Sequence, residues 1–445
     1  MVFNIPTYVE TIINRLEEKG YEAYIVGGSV RDLLIGREPH DYDINTNALP
    51  EEIMEVFKEY KTLEVGKKFG TIVVVQNEGV VEVTTFRSDG EYIDGRRPEE
   101  VYFSKELKDD LSRRDFTINA MAYNKNSGLI DYFDSRGYLK HKLIKTVGDP
   151  QERFKEDYLR VIRAVRFASE LEFFIEDETY KACKDYSQKL SYISIERIRD
   201  EFFKILLAGH PSYGIRLLKD TGILGVILPE IIKSVGFNQH NPHHNKDVFE
   251  HTLAVLDNTS PILHLRLAAL FHDIAKPHTF TLDDDGIGHF YGHDKIGANM
   301  AREILKRWKT PNELIDKVYI LIDKHMTQHD NFKEKGLKRL IARVGDKEIF
   351  TLLELQKADM LGTNEDVDID YLIDRENKIE DILNNEEVYE KKQLAIDGND
   401  VIELGYKQGK LIGEILDYLL EQVLENPELN HREMLIGIIK NEFEL

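Results

Sequence analysis

The hydrophobic pattern changes character once along this chain, near residue 145, and that change limits the possible folds more than any other feature. Before it, helical and strand patterns alternate. YVETIINRLEEKG has helical spacing, AYIVGG reads as a short apolar strand and EEIMEVFKEY is helical again. TIVVVQNEGVVEVTTF then reads as a hairpin turning at Asn77-Glu78-Gly79. From about residue 150 strand signals almost vanish, and amphipathic helices broken by Gly or Pro follow one another. An α/β unit followed by an all-helical remainder is therefore expected.

At 445 residues the chain exceeds what one core supports, and two to four domains are expected. No apolar run approaches the roughly 20 residues that span a bilayer, so no membrane partner is expected. The N-terminal stretch lacks a signal-peptide pattern, and Cys183 is the only cysteine. Both observations point to the cytoplasm. The net charge of −22 taken alone disfavours nucleic acid, but the acidity leans to the C-terminal half and leaves room for local basic strips.

The stretch YIVGGSVRDLLIGREPHDYDINT (24–46) carries the first chemistry. Gly27-Gly28 follows an apolar strand and precedes a helical segment, where glycines let backbone amides approach a phosphate. If His40–Ile44 is a strand, Asp41 and Asp43 share one face and present paired carboxylates to hard cations. Nucleotidyl-transferring enzymes commonly hold two such metals about 3.5–4 Å apart. Either feature alone is common in ordinary strand–turn–helix segments. In this order and spacing they resemble the polymerase-β-like nucleotidyltransferases.

Two further stretches extend the pattern. In LSRRDFTINAMAYN (111–124), Arg113 and Arg114 offer a triphosphate clamp and Asp115 an acceptor for a ribose hydroxyl. In FKEDYLRVIRAVRFASELEF (154–173), Glu156, Asp157 and Arg160 cluster if the segment is one helix, and Arg163 and Arg166 continue the spacing. An Asp acceptor beside an Arg donor matches the exocyclic amine and ring nitrogen of cytosine or adenine. It mismatches uracil and guanine, so side chains can select C and A without a template.

GGSVRD…DYD, RRDFTINAMA and EDYLRVIRAVRFA together resemble the class II CCA-adding enzymes, the tRNA nucleotidyltransferases, whose relatives include bacterial poly(A) polymerases. The resemblance covers essentially the whole chain. It implies a polymerase-β-like head (1–145), a helical neck and body (146–235) that read the nucleotide and bind RNA, an HD domain (236–365) and a helical tail (366–445). It implies template-independent addition of CCA to tRNA from CTP and ATP. Asp41 and Asp43 would bind Mg²⁺, and Gly27, Gly28, Arg31 and Arg114 the triphosphate, with Asp115 near the ribose. Asp157 and Arg160 would read the base, supported by Glu156, with Arg163 and Arg166 nearby. Glu82 is a candidate third carboxylate. The SIERIRDEF helix would brace the reading region. The full-length polar loop 87–110 is unlike the family's CC-adding members, which have a shortened loop there. It leaves A-adding enzymes and poly(A) polymerases open.

A second constellation lies downstream: His251, His272-Asp273, His293, His325 and Asp359 on apolar helical stretches. Burying an adjacent His-Asp pair is costly unless it binds something. The set resembles the HD family of metal-dependent phosphohydrolases. There His251, His272, Asp273 and Asp359 would ligate a divalent transition metal, with His293 and His325 reaching a second metal or the phosphate. A structural HD fold without activity is the alternative. In a third reading the phosphohydrolase is the main activity and the head a nucleotide-binding module, against which the intact Asp41/Asp43 pair argues.

Overall fold

The computed structural model describes residues 3–90, 100–240, 246–330, 332–363, 367–385 and 387–443. Parts of the 87–110 polar loop, of the 236–247 linker and of the acidic segment that follows residue 363 lie outside the described residues. The chain divides into two compact units, Met1–Pro229 and Glu230–Leu445.

The first unit begins with α1 (Thr7–Glu18), β1 (Ala23–Val26), α2 (Gly28–Leu34), β2 (Asp43–Thr46) and α3 (Pro50–Val56). Strands β3 (Lys61–Gly66), β4 (Thr71–Val75), β5 (Val80–Thr85), β6 (Arg87–Asp89) and β7 (Val101–Phe103) follow. Next come α4 (Leu107–Ser112), β8 (Met121–Asn124), β9 (Gly128–Asp131), α5 (Ser135–Lys140) and β10 (Leu143–Ile144). The helical part contains α6 (Pro150–Glu156), α7 (Leu159–Leu171), the short β11 (Phe174–Ile175) and α8 (Asp177–Tyr186). It ends with α9 (Ile195–Leu206), α10 (Pro211–Asp220) and α11 (Ile223–Ile227).

The main sheet is mixed, in the order β3-β4-β5-β2-β1-β8-β9. The central β2 pairs antiparallel with β1 and parallel with β5. Its Ile44, Asn45 and Thr46 are buried, so the strand is fixed on both faces and its first residue, Asp43, is held at the end of this central strand. The β4–β5 hairpin turns as its sequence predicts. Helix α1 buries Val9, Ile12, Ile13 and Leu16, one stripe at helical spacing.

Two local expectations need correction. The strand over 40–44 begins only at Asp43, and Asp41 lies in the extended approach to it. The helix expected across 154–173 breaks between α6 and α7, with Asp157 extended (φ −141°, ψ 107°). There its carboxylate accepts the Leu159 N–H at 3.0 Å, capping the second helix.

The second unit contains α12 (Val248–Asp257), α13 (Leu263–Phe271), α14 (Lys276–Thr279), a small hairpin of β12 (Thr281–Leu282) and β13 (Gly288–His289), and α15 (His293–Arg307). Helices α16 (Asn312–Lys324), α17 (Glu334–Val344), α18 (Glu348–Thr363) and α19 (Asp370–Asn384) follow. The chain closes with α20 (Gly398–Glu403), α21 (Lys410–Glu425) and α22 (Arg432–Glu442) around a core of Ile396, Val401, Ile415, Leu419, Leu435 and Ile439. The β10–β11 pair and the β12–β13 hairpin depart from the all-helical expectation; each strand is two residues long, too short for a periodic signal.

Candidate functional site

At the end of β1 the backbone turns sharply into α2. Gly27 sits at φ +76°, where only glycine is unstrained, and a Cβ there would lie 2.7 Å from Arg114 Nη1. A Cβ on Gly28 would touch Arg31 Nη2 at 3.5 Å. The glycine pair is thus the floor beneath two guanidinium groups. Arg31 is oriented by Asp32 and by Asn119 Oδ1, each at 2.8 Å. Arg114 donates to the Asn119 carbonyl at 3.4 Å and lies 3.6 Å from Asp110, while its buried Nε has no hydrogen-bond partner among the described residues. An unused buried donor beside a bare glycine floor suits a polyphosphate.

Asp110 of α4 was not singled out by sequence. It is fully buried, takes two bonds from Arg113 (2.7 and 3.1 Å) and one from Asn45 of β2. Burial opposes its charge, but Arg113 and Arg114 outweigh that and keep its carboxyl below the usual range. It therefore links the arginine pair to the strand that carries Asp43. Its position three residues before Arg113 was a legible signal.

Asp43 pairs in register with Glu82 of β5, which places Glu82 beside the aspartates. Burial pushes the Asp43 carboxyl up to about 6; Arg114 opposes the shift, and the charges of Asp41 and Glu82 add to it. Asp41 and Glu82 are exposed, and their charges reach the largely buried Asp43. The donor set is all oxygen, which fits a hard divalent cation.

The base-reading candidates lie where α6 meets α7. Asp157 Oδ2 accepts from Arg197 of α9 at 3.0 Å. Arg160 is held by Glu156 and by the carbonyls of Arg153 (3.0 Å) and Arg113 (3.1 Å). The last bond joins this region directly to the arginine pair of the head. Asp115 takes two bonds from Arg163 (2.9 and 2.6 Å) and one from the Phe116 N–H. Burial resists its charge, yet Arg163 and Arg160 hold it well below the usual carboxylate range. Arg166 lies 3.6 Å over Phe167 and pairs with Glu201 of α9 and with Glu170, both at 2.8 Å. Arg163 and Arg166 are thus committed to protein partners, and α9 braces the region through Arg197 and Glu201. These two partners, 40 and 35 residues from theirs, had no signal in local spacing.

In the second unit the downstream constellation converges. His251 Nε2 lies 2.9 Å from Asp359 Oδ1, 3.6 Å from Asp273 Oδ2 and 3.3 Å from His272 Nε2. His293 Nε2 lies 3.4 Å from Asp273 Oδ1 and 3.2 Å from His325 Nε2. His272, His293 and His325 each donate Nδ1–H to a carbonyl three residues earlier, those of Ala269, Phe290 and Ile322 (2.7–2.8 Å). Those bonds fix the tautomer and aim each Nε2 inward. In His293 and His325, two ring nitrogens whose partner nitrogens already carry the proton face each other, an arrangement that asks for a cation. Two triads, His251–His272–Asp273 and Asp273–His293–His325, have metal-ligand spacing and are buried. Burial opposes charge on His272, but Asp273 and Asp359 push it up to about 10. Burial and the charges of His272 and His293 hold His325 down at about 4. A cavity of about 620 Å³ opens onto Asp273, His293 and Asp359.

The first unit, with its mixed sheet, glycine turn and neighbouring carboxylates, defines a nucleotidyltransferase of polymerase-β-like fold. Three family models match the chain: "Poly A polymerase head domain" over residues 23–145, "Probable RNA and SrmB- binding site of polymerase A" over 172–234, and "tRNA nucleotidyltransferase domain 2 putative" over 290–439. The CCA-adding enzyme of Levilactobacillus brevis is 34% identical over 96% of both chains. That of Lactobacillus johnsonii is 35% identical over 96% of this chain and 95% of its own. The chain belongs to the CCA-adding enzyme family, the class II tRNA nucleotidyltransferases. The Bacillus stearothermophilus CCA-adding enzyme, solved in complex with CTP, superposes with a TM-score of 0.73 at 29% identity over 98% of both chains. The Thermotoga maritima enzyme complexed with tRNA shares the fold (TM-score 0.58, 22% identity, 98% of this chain and 96% of its own). Membership implies use of a divalent metal. No helix among the described residues is long and apolar enough to cross a membrane.

Proposed function

We propose that this chain adds C, C and A to the 3′ end of tRNA from CTP and ATP, without a nucleic-acid template. The observation that carries the reading is the meeting, within one unit, of the Asp41–Asp43–Glu82 carboxylates, the arginine-covered glycine turn and the Asp157–Arg160 pair. Asp41 and Asp43, with Glu82 beside them, would hold Mg²⁺, which would supply activation of the RNA 3′-hydroxyl and neutralisation of charge on the α-phosphate. Arg31 and Arg114 bind the triphosphate, and Gly27 and Gly28 let it approach the backbone. Asp115, held in place by Arg163, lies at the ribose. Asp157 accepts from the exocyclic amine of C or A and Arg160 donates to the neighbouring ring nitrogen. Glu156 holds Arg160, and Arg163 and Arg166 stiffen α7 against α9. On this reading the first unit comprises head and neck/body, and the second an HD domain and tail.

The test supplies purified protein with tRNAs ending before CCA, after C and after CC, with CTP and ATP given separately and together. Stepwise growth of all three to a CCA end, stopping there, is expected. One A added only to the CC-ended tRNA would make the chain an A-adding enzyme, and long A tails a poly(A) polymerase. No extension with Mg²⁺ present would overturn the proposal.

The second unit supports an additional activity, a metal-dependent phosphohydrolase. It rests on the buried convergence of His251, His272, Asp273, His293, His325 and Asp359, whose nitrogen and carboxylate donors fit a divalent transition metal. Metal analysis of the purified protein, against a His272→Ala variant, tests it. Equal metal content in the two would overturn it.

A further inference from the structure

The hairpin β12–β13 stands beside the buried histidine cluster and brings in a group the metal does not need. Gly288 packs so tightly on the preceding segment that a Cβ would lie 2.1 Å from the Gln239 carbonyl, and its N–H donates to the His240 carbonyl at 2.8 Å. The Phe290 carbonyl fixes His293 at 2.7 Å, so the end of the hairpin is tied to the cluster itself. Between these anchors His289 lines the same cavity as Asp273, His293 and Asp359. Its Nε2 donates to Asp283 Oδ2 at 2.8 Å, and its Nδ1 lies 3.4 Å from the hydroxyl of Tyr291, another residue of the cavity wall. Tyr291 stacks on the imidazole at 5.3 Å with the rings nearly parallel. The bonds from His289 and from the Ile287 and Asp285 N–H groups keep the Asp283 carboxyl below its ordinary range, so it remains the anion that an imidazolium requires.

A carboxylate-backed imidazole at the wall of this cavity is suited to moving a proton, and beside a site whose metal would activate the attacking water, the transfer left to it is protonation of the departing oxygen. We propose that His289, oriented by Asp283, donates the proton to the leaving group in the phosphohydrolase site, and that the site therefore takes phosphate esters of alcohols such as ribose hydroxyls rather than phosphoanhydrides. The proposal rests on the phosphohydrolase reading. A water oxygen forms the new bond to phosphorus while the bond from phosphorus to the ester oxygen breaks. The ester oxygen takes the Nδ1 proton of His289 and leaves as the alcohol. The attacking water releases one proton to solvent, and solvent returns one to His289. An anhydride expels a stabilised phosphate that needs no such donor, whereas an alkoxide does.

The test uses the full-length protein loaded with Mn²⁺ and two pairs of probes. These are p-nitrophenyl phosphate with adenosine 3′-phosphate, and bis(p-nitrophenyl) phosphate with adenosine 2′,3′-cyclic phosphate; ATP is the anhydride control. In whichever pair the wild type cleaves, His289→Gln and Asp283→Asn are expected to lower ribose-ester turnover by about 10²–10³-fold, and the nitrophenyl ester by no more than about threefold. Calorimetric Mn²⁺ stoichiometry should be unchanged in His289→Gln and reduced in His272→Ala. Equal losses on both members of a pair, faster cleavage of ATP than of either ester, or loss of Mn²⁺ in His289→Gln would overturn the role of His289 and leave the metal site standing. A wild type that binds Mn²⁺ and cleaves none of the probes overturns the phosphohydrolase reading and this proposal with it.

Discussion

Asp43 is a side chain whose charge the surrounding fold opposes. Its carboxyl is raised to about 6 because burial and the charges of Asp41 and Glu82 disfavour the anion more than Arg114 favours it. Asp43→Asn removes that conflict. In EDTA the variant should therefore melt higher than the wild type, while nucleotidyl transfer falls by about 10³-fold or more if Asp43 is the metal carboxylate proposed above. Thermal unfolding and the three-tRNA extension assay measure the two effects, and a variant that loses activity without gaining stability would show that the conflict is illusory. Gly27 makes the complementary case. Gly27→Ala should cost about 1–3 kcal/mol from its glycine-only backbone (φ +76°, ψ −136°) alone. The new Cβ also meets Arg114, so KM for ATP and CTP should rise more than kcat falls. A normal KM would mean that Arg114 moves freely and is not fixed by the turn.

At the scale of elements, the helical neck is held by charge as much as by apolar packing. Glu201 of α9 bonds Arg166 at 2.8 Å and lies 3.7 Å from Arg163. Since Arg166 keeps Glu170 and Arg163 keeps Asp115, Glu201→Gln leaves neither arginine alone, and about 2–3 kcal/mol should be lost. Cys183, the chain's only cysteine, is buried in α8 of the same unit, so urea-dependent thiol labelling reads that loss directly. An unchanged labelling midpoint would assign the stability of the neck to its apolar face. Asp115 and Asp110 give the pH dependence. Both carboxyls are depressed in the folded state, so their contribution is present above the unfolded value of about 4 and is lost as pH falls through it toward the folded values. Urea unfolding followed by far-UV circular dichroism, Asp115→Asn against wild type, should show a stability gap at pH 7 that begins to narrow only below about pH 4. These elements also mark what local sequence could reveal. The glycine turn, the β4–β5 hairpin and the helices followed from period and punctuation. The break at Asp157 did not, because an unbroken helical pattern hides an aspartate that caps. Nor did Arg197 and Glu201, whose partners are distant in sequence, nor the β12–β13 hairpin, whose strands are too short to show a period.

For the whole molecule, each compact unit carries its own proposed metal site, one with oxygen donors alone and one with imidazoles, so different metals should select between them. The chain contains a single reporter for the second unit: Trp308, its only tryptophan, is fully buried at the end of α15, whose first residue is His293. Loss of Trp308 fluorescence on heating therefore follows the element that carries one of the converging histidines. A transition metal bound only in the folded state stabilises that unit by RT ln(1 + [L]/Kd), about 4 kcal/mol at a thousandfold excess over Kd. Ni²⁺ or Zn²⁺ should raise the Trp308 transition after EDTA treatment, and Mg²⁺ at the same concentration should raise it less, because imidazole donors suit the former ions and disfavour the latter. His272→Ala should erase the shift and leave CCA addition in Mg²⁺ intact, since Asp41 and Asp43 lie in the other unit. If Mg²⁺ shifts the Trp308 transition as strongly as Ni²⁺, or if His272→Ala retains the shift, the imidazole cluster is not the site that binds, and the division of labour between the two units fails.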